Sequence, residues 1–309
     1  MILTQNLVKK YGKMVAVNEI NLSVERGTVF GLVGENGAGK TSALSMLATL
    51  STPTCGYAYI NGYEVSRNPR EVRRSIGYMP DSFGVYDDLT VMEYLRFFAD
   101  CYDVDKRLIR PRAEELIERV RLTDKRDTYV NALSRGMQQR LEIARCLMHD
   151  PEVLILDEPS SGLDPRSRIE MRAVLQGLRD TGKTILISTH VLHELAEVAD
   201  EIGILRSGEL VAVAAIQVML QHSNAYRTIV LCARDKGSAL ERVLQEDKQV
   251  LRIDDGRDGV EVLYAGTHSQ QAELLTKLVE AGVRLTQFTE KPTDIEDLFL
   301  RLSAVQEGQ

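Results

Sequence analysis

The segment from residue 34 to residue 41 constrains the fold most, because it fits the pattern G-x-x-x-x-G-K-[ST]. The residues before it, Thr28–Val33, predict a short buried strand, and Ser42–Ala48 predict a helix with one apolar face. In a strand, glycine loop and helix, backbone N–H groups surround phosphate oxygens, and the helix dipole favours their negative charge. A glycine-rich turn without a ligand is the alternative. We expect a nucleoside triphosphate to contact Gly34, Glu35, Asn36, Gly37, Ala38, Gly39, Lys40, Thr41 and Ser42, with Lys40 at the β- and γ-phosphates and the Thr41 hydroxyl on Mg²⁺.

A pair of adjacent carboxylates provides the second part of a nucleotide site. The apolar run Val153–Leu156 predicts a strand of a parallel sheet, and Asp157 and Glu158 follow it directly. Ligands of open α/β sheets bind at the carboxyl ends of the strands. We therefore predict that Asp157 helps to hold Mg²⁺ and that Glu158 activates the attacking water. Taken alone, the pair is equally well explained as a solvated strand end; together with the phosphate loop it indicates phosphoryl transfer.

Composition limits the remaining function classes. The formal net charge of -7 over 309 residues argues against a general nucleic-acid binder, which needs a basic surplus. Four cysteines lie far apart without metal-ligand spacing, which indicates free thiols in a reducing cytoplasm: Cys55, Cys101, Cys146 and Cys232. We expect no signal peptide at the N-terminus. The most continuous apolar run, Val211–Leu220, is too short to span a bilayer, so a membrane role would require a partner chain.

Periodicity predicts two domains, 1–220 and 221–309. The first begins with strands and a hairpin that turns at Asn61-Gly62. A helical insert follows at about residues 86–150, and alternating strands and helices resume after it. Three helices are predicted in the insert: one capped by Thr90, one at Arg112–Val120 and one from Ser134 to Met148. Two more are predicted after it, at Ile169–Leu178 and Val191–Val198. The second domain has the order βαββαβ over 227–289 and a last helix at Thr293–Leu302, which predicts a small ferredoxin-like α+β domain.

With these motifs in order, residues 1–215 resemble the ATP-binding subunit of ABC transporters. The segment Leu133–Arg140 lies between the phosphate loop and the carboxylate pair and is similar to the family's Leu-Ser-Gly-Gly-Gln marker. Leu133, Ser134 and Gly136 match that marker, whereas Arg135 and Met137 do not. The resemblance implies a P-loop NTPase core of the α/β class, with a mixed sheet, an antiparallel β subdomain and the helical insert. It also implies that Ser134 and the backbone of Gly136 bind the γ-phosphate carried by a second subunit, although an ordinary helix cap is the simpler explanation of Ser134 alone.

The resemblance assigns four more elements of the site. Tyr11 would stack on adenine, His190 would hydrogen-bond the γ-phosphate and orient water and Glu158, and the loop Ser161–Asp164 would contact the opposing subunit. A core or surface tyrosine, a structural histidine and a plain turn are the respective alternatives. Asp81 stands where the family usually has Gln; a carboxylate can still ligate Mg²⁺ but cannot donate an amide hydrogen bond.

The resemblance also implies the function and the partners. We expect an ATPase that works as a homodimer through its ATP sites and drives separately encoded transmembrane permease subunits from the cytoplasmic face of the membrane. The segment 81–90 and the C-terminal domain look like those of bacterial export systems. We expect no direct contact with nucleic acid. The alternative is a soluble ABC-type ATPase that acts on a ribosome or a nucleic-acid complex.

Overall fold

The computed structural model describes residues 1–82, 84, 86, 88–218, 227–233, 238–256 and 259–291. They form two compact units that divide between Ile216 and Gln217. The boundary predicted after residue 220 lies outside the described residues, as do Phe83, Val85 and the predicted last helix Thr293–Leu302.

An antiparallel sheet begins the first unit. Its strands are β1 (Ile2–Tyr11), β2 (Met14–Ile20), β3 (Ser23–Val24), β5 (Cys55–Ile60) and β6 (Tyr63–Glu64). Their order is β2-β1-β5-β6, with β3 paired to β1. Asn61 and Gly62, which join β5 to β6, have φ angles of 52° and 83°. Two consecutive left-handed residues are what a tight type I′ hairpin requires, as the Asn-Gly pair predicts.

The central sheet of the first unit is mostly parallel. Its strands are β4 (Val29–Val33), β7 (Ile76–Met79), β8 (Val153–Asp157), β9 (Thr184–Thr189), β10 (Glu201–Arg206) and β11 (Glu209–Ala215). They lie in the order β11-β10-β4-β9-β8-β7, and only the β10–β11 pair is antiparallel. Every residue of β4, β8 and β9 is buried, as expected of apolar strands covered on both faces. Because these three strands are parallel neighbours, the phosphate loop, Asp157-Glu158 and His190 leave the sheet at the same edge.

Six α-helices complete the described part of this unit. They are α1 (Lys40–Leu47), α2 (Pro69–Ser75), α3 (Val91–Cys101), α4 (Lys106–Arg119), α5 (Arg135–Leu147) and α6 (Pro165–Arg179). Thr90 and Glu93 form the predicted capping box of α3. The helix predicted from Arg112 begins earlier, after an Asp105 cap, and contains Pro111. Helix α2 has no counterpart in the sequence-based prediction.

The predicted helix Val191–Val198 is wrong. The segment contains only a 3₁₀ turn at Leu192–Glu194 and continues with i to i+3 hydrogen bonds. Leu195 packs directly over Gly31 of β4, where even a methyl group would collide with its Cδ1 atom at 2.2 Å. Because this packing fixes a short connection between β9 and β10, it overrides the helical periodicity.

The second unit contains β12 (Arg227–Ala233), α7 (Ser238–Glu246), β13 (Val250–Gly256), β14 (Gly259–Tyr264), α8 (His268–Glu280) and β15 (Leu285–Lys291). The antiparallel sheet has the order β13-β14-β12-β15. Its core is formed by buried residues of β12, β14 and both helices, among them Ile229, Val262, Leu244 and Leu274. The element order is the predicted βαββαβ arrangement.

Candidate functional site

The phosphate loop has a conformation that requires its glycines. Gly37 and Gly39 have φ angles of 86° and 108°. A side chain on Gly39 would meet the Ala16 carbonyl at 2.2 Å. Lys40 begins α1 and is only 5% exposed; its Nζ donates to the Gly34 carbonyl at 2.6 Å and to the Glu35 carbonyl at 3.2 Å. The loop is therefore folded around the lysine ammonium group.

A pocket of about 670 Å³ lies over this loop. It is lined by Met14, Val15, Ala16, Asn36, Gly37, Gly39, Lys40, Thr41, Ser42, Asp81, Glu158, Ser161, His190 and Ser207. Residues from several distant parts of the sequence thus share one cavity, including both predicted catalytic partners of Lys40. Among the described residues, this lining does not include Tyr11, Gly34, Glu35, Ala38, Ser134, Gly136 or Asp157.

Glu158 lies between a lysine and a histidine. Its Oε1 is 3.3 Å from Lys40 Nζ, and its Oε2 is 2.8 Å from Nδ1 of His190. An ionised carboxylate only accepts hydrogen bonds, so Nδ1 carries the proton in this arrangement. Glu158 also has a φ angle of 50°, the left-handed region that non-glycine residues rarely adopt. Its backbone N–H is held by the hydroxyl of Ser188 at 3.0 Å. These contacts hold the carboxylate at the pocket, and its role as a proton acceptor stays a prediction.

Asp157 is a fully buried carboxylate with an unused oxygen. Oδ1 accepts a hydrogen bond from Ser188, whereas Oδ2 has no hydrogen-bond partner. Burial raises the pKa of Asp157 above its ordinary value; the hydrogen bond from Ser188 opposes this shift, and the nearby charges of Asp81 and Glu158 add to it. Ser188, which holds both Asp157 and Glu158, was not identified from the sequence.

These carboxylates fit a magnesium ion that is bound together with a nucleotide. Among the described residues, no cluster of three or more His, Cys, Asp or Glu side chains could hold a metal by itself. Mg²⁺ in nucleotide sites usually keeps several waters and takes one or two carboxylates plus phosphate oxygens, so such a cluster is not required. The unsatisfied Oδ2 of Asp157, the neighbouring Thr41 hydroxyl and the Asp81 charge supply the donor set that the prediction named.

Tyr11 lies at the end of β1, with Lys9 Nζ 5.0 Å from its ring centroid and 47% of its surface exposed. The structure places Met14 and Val15, rather than Tyr11, on the pocket lining. These two apolar residues are 61% and 41% exposed, so both offer accessible apolar surface at the pocket. They were missed from the sequence because consecutive apolar residues, here Met14–Val17, look like an ordinary strand.

Ser134 and Gly136 lie at the start of α5. The Ser134 hydroxyl accepts a hydrogen bond from the Met137 N–H at 3.4 Å, so it caps the helix. Gly136 is buried, and a Cβ there would lie 2.6 Å from the Ser167 hydroxyl of α6. Both residues therefore have structural roles within this chain, and their predicted contact with a nucleotide on a second subunit stays a prediction.

Comparison with known proteins identifies the family. The sequence model described as "ABC transporter" matches residues 17–161. The bacitracin transport ATP-binding protein of Bacillus licheniformis is 33% identical over 303 residues, which cover 98% of this chain and 97% of the relative. The chain belongs to the ABC transporter family. It is an ATP-binding subunit with the P-loop NTPase fold and ATPase activity of that family.

Two further comparisons describe how far the similarity extends. The Nod factor export ATP-binding protein of Ralstonia nicotianae is 32% identical over 302 residues, 97% of this ABC protein and 92% of the relative. A solved dimeric ATP-binding cassette in a post-hydrolysis state with ADP and Pi has a TM-score of 0.63 against this chain and is 26% identical to it. The match covers 70% of this chain and 99% of the solved chain. The sequence relatives therefore match the C-terminal unit as well as the ATP-binding unit. In the described part of this ABC protein, no helix is long and apolar enough to cross a membrane.

Proposed function

We propose that two copies of this chain bind two ATP molecules between them and use ATP-driven closure to power export through separate transmembrane subunits. The observation that carries the proposal is the convergence of Lys40, Glu158 and His190 at one pocket over the phosphate loop. Relatives whose names specify bacitracin transport and Nod factor export support transport, and export in particular, over action on a ribosome or on nucleic acid.

In this proposal ATP replaces contacts that the protein now makes with itself. Lys40 exchanges its carbonyl acceptors for the β- and γ-phosphates, and Met14 and Val15 face the adenine. Once Lys40 is engaged by phosphate, Glu158 keeps only its contact to His190 and is available to take a proton from water. His190 holds the carboxylate in place through Nδ1, and in this proposal its other ring nitrogen hydrogen-bonds the γ-phosphate.

We assign a bound Mg²⁺ to Thr41, Asp157 and Asp81. When bound, the ion neutralises negative charge on the phosphates during transfer. Asp157 is preorganised for this role because Ser188 fixes one carboxylate oxygen and leaves the other without a partner.

The second copy completes the site in this proposal. Ser134 and Gly136 are not on the pocket lining among the described residues, although the family marker assigns them a phosphate contact. A phosphate contact from the α5 N-terminus of another copy would satisfy that assignment, and its backbone N–H groups suit an anion. The dimeric cassette with ADP and Pi supports this arrangement.

Trapping the closed dimer tests the proposal. Glu158→Gln removes the proton acceptor while keeping the side chain's size, so ATP should bind and persist. We expect size-exclusion chromatography with light scattering to give a dimer of Glu158→Gln in ATP and a monomer without nucleotide. Lys40→Ala in the Glu158→Gln background is the matched control and should stay monomeric. A monomer of Glu158→Gln in saturating ATP would contradict the two-chain site.

A further inference from the structure

Arg135 stands where the family marker has a glycine, and the structure gives its guanidinium group a specific contact. The side chain reaches the loop that follows Glu158 and lies on Gly162. A Cβ placed on Gly162 would be 2.8 Å from Arg135 Cζ, 2.8 Å from Nη1 and 3.0 Å from Nη2. Because all three atoms are at nearly the same distance, the flat face of the guanidinium lies against this glycine.

Gly162 is suited to this contact for two reasons. Its φ angle of 66° is the left-handed conformation that glycine adopts without strain. It also has no side chain to separate its backbone from the guanidinium plane. Arg135 and Gly162 therefore form a contact that depends on the flat shape of one residue and the missing side chain of the other.

The same loop is held at a second point from α5. Gln139, which is 1% exposed, donates its amide to the Ser161 carbonyl at 3.1 Å. The Ser161 N–H in turn donates to the Glu158 carbonyl at 3.0 Å, which closes a turn directly after Glu158. Arg135 and Gln139 thus lie one helical turn apart on α5 and fix consecutive residues of the loop.

This turn sets the backbone of Glu158. A left-handed conformation is unfavourable for a non-glycine residue and persists only where the surroundings hold it. Ser188 holds the Glu158 N–H from one side, and the Ser161 turn holds its carbonyl from the other. If the turn is loosened, Glu158 can relax to a commoner conformation and its carboxylate leaves the position between Lys40 and His190.

We propose that Arg135 is a positioning residue for hydrolysis: its guanidinium clamps Gly162 and so keeps Glu158 in its strained conformation at the ATP pocket. The inference rests on the proposed role of Glu158 as the proton acceptor. Arg135 acts through the loop and touches no reacting atom, so its loss changes the rate of hydrolysis and leaves nucleotide binding intact.

Steady-state ATPase kinetics of the full chain test the inference. Arg135→Gly, which restores the family form, should lower kcat about tenfold, with KM and the affinity for a fluorescent ATP analogue changed less than about twofold. Arg135→Lys keeps helix propensity and charge but has no flat face, so it should lose a similar factor. Arg166→Gly is the matched control: it removes an arginine that is 88% exposed in the first turn of α6, and it should leave kcat within about twofold.

A double-mutant cycle identifies the contact itself. Gly162→Ala should lower kcat about tenfold in the natural chain, because its methyl collides with the guanidinium and the alanine is strained at positive φ. In the Arg135→Gly background only the strain remains, so the further loss should be about threefold or less. Equal losses in both backgrounds would overturn the contact.

Other outcomes are equally decisive. Full kcat in Arg135→Gly, or in Arg135→Lys, would overturn the inference, and so would a raised KM with unchanged kcat, which would indicate direct nucleotide contact. Wild type and Glu158→Gln are measured beside these variants. If wild type does not hydrolyse ATP, or if Glu158→Gln retains activity, the proposed function fails; if only the Arg135 variants behave like wild type, the inference alone fails.

Discussion

Replacing Asp157 by Asn is expected to stabilise the nucleotide-free protein while it abolishes ATP hydrolysis. The carboxylate is 0% exposed, and its Oδ2 has no hydrogen-bond partner. An unsatisfied buried polar group costs about 1–3 kcal/mol, and a charged group costs more. The Asn amide keeps an acceptor for Ser188 and leaves only a neutral group unsatisfied. We therefore expect a gain of about 1–2 kcal/mol in the free energy of unfolding.

The pH dependence of this gain follows from the raised pKa of Asp157. In the native state the carboxyl takes up a proton at a higher pH than in the unfolded state. The cost of the buried charge is therefore complete above the native pKa and is lost as the pH falls from the native pKa to the lower pKa of the unfolded state. The stability difference between Asp157→Asn and wild type should be largest at neutral pH and should shrink on acidification.

Differential scanning calorimetry is the suitable assay, because the chain has no tryptophan for a fluorescence melt. The transition of the ATP-binding unit is the one that ATP shifts in the wild type. We expect Asp157→Asn to raise its Tm by about 2–8 °C at pH 7. Asp127→Asn, at a carboxylate that is 79% exposed, is the control and should change stability by less than about 0.5 kcal/mol. An unchanged or lower Tm for Asp157→Asn at pH 7 would refute the account of an uncompensated buried charge.

Three further substitutions test separate contacts of the pocket. Lys40→Ala should abolish detectable binding of a fluorescent ATP analogue, and an unchanged Kd would remove the phosphate-loop assignment. His190→Ala should lower kcat about 100-fold with little change in KM, because Glu158 loses the group that orients it; a rate within threefold of wild type would contradict this role. Asp81→Gln removes a charge that raises the pKa of Asp157 and removes a proposed Mg²⁺ ligand. It should raise the Mg²⁺ concentration needed for half-maximal ATPase activity several-fold. An identical Mg²⁺ titration would show that Asp81 contributes no ligand.

Local sequence was sufficient to predict the strand, loop and helix around Lys40 and the strand that ends at Asp157. The glycine pattern before Lys40 and the apolar strand before Asp157 each carry their own structural context. The position of His190 at the end of β9 followed from the family resemblance. The parallel order of β4, β9 and β8 then brings these segments to one sheet edge.

The remaining features depend on contacts between distant segments, which no local pattern contains. Nothing in the sequence around Ser188 distinguishes it from other strand residues, yet it holds both Asp157 and Glu158. Arg135 was read only as a departure from the marker, and its contact with Gly162 became visible in the fold. The helix predicted at Val191 failed for the same reason, since the packing of Leu195 on Gly31 outweighed periodicity.

Complementation between two inactive variants tests most directly whether the ATP site is built from two chains. Lys40→Ala disables the phosphate loop and keeps Ser134. Ser134→Asp keeps a good helix cap but places a negative charge where the partner's phosphate would lie. Each variant alone should be inactive. In a heterodimer, one ATP site combines both substitutions and is inactive. The other site combines the unaltered Lys40 of one chain with the unaltered Ser134 of the other and is intact.

The account predicts that an equal mixture of these two variants regains up to about a quarter of the wild-type ATPase rate, since half of randomly paired dimers are heterodimers and each has one intact site. Each variant assayed alone at the same total protein concentration is the control. A mixture that is no more active than the sum of its two components would contradict the two-chain site.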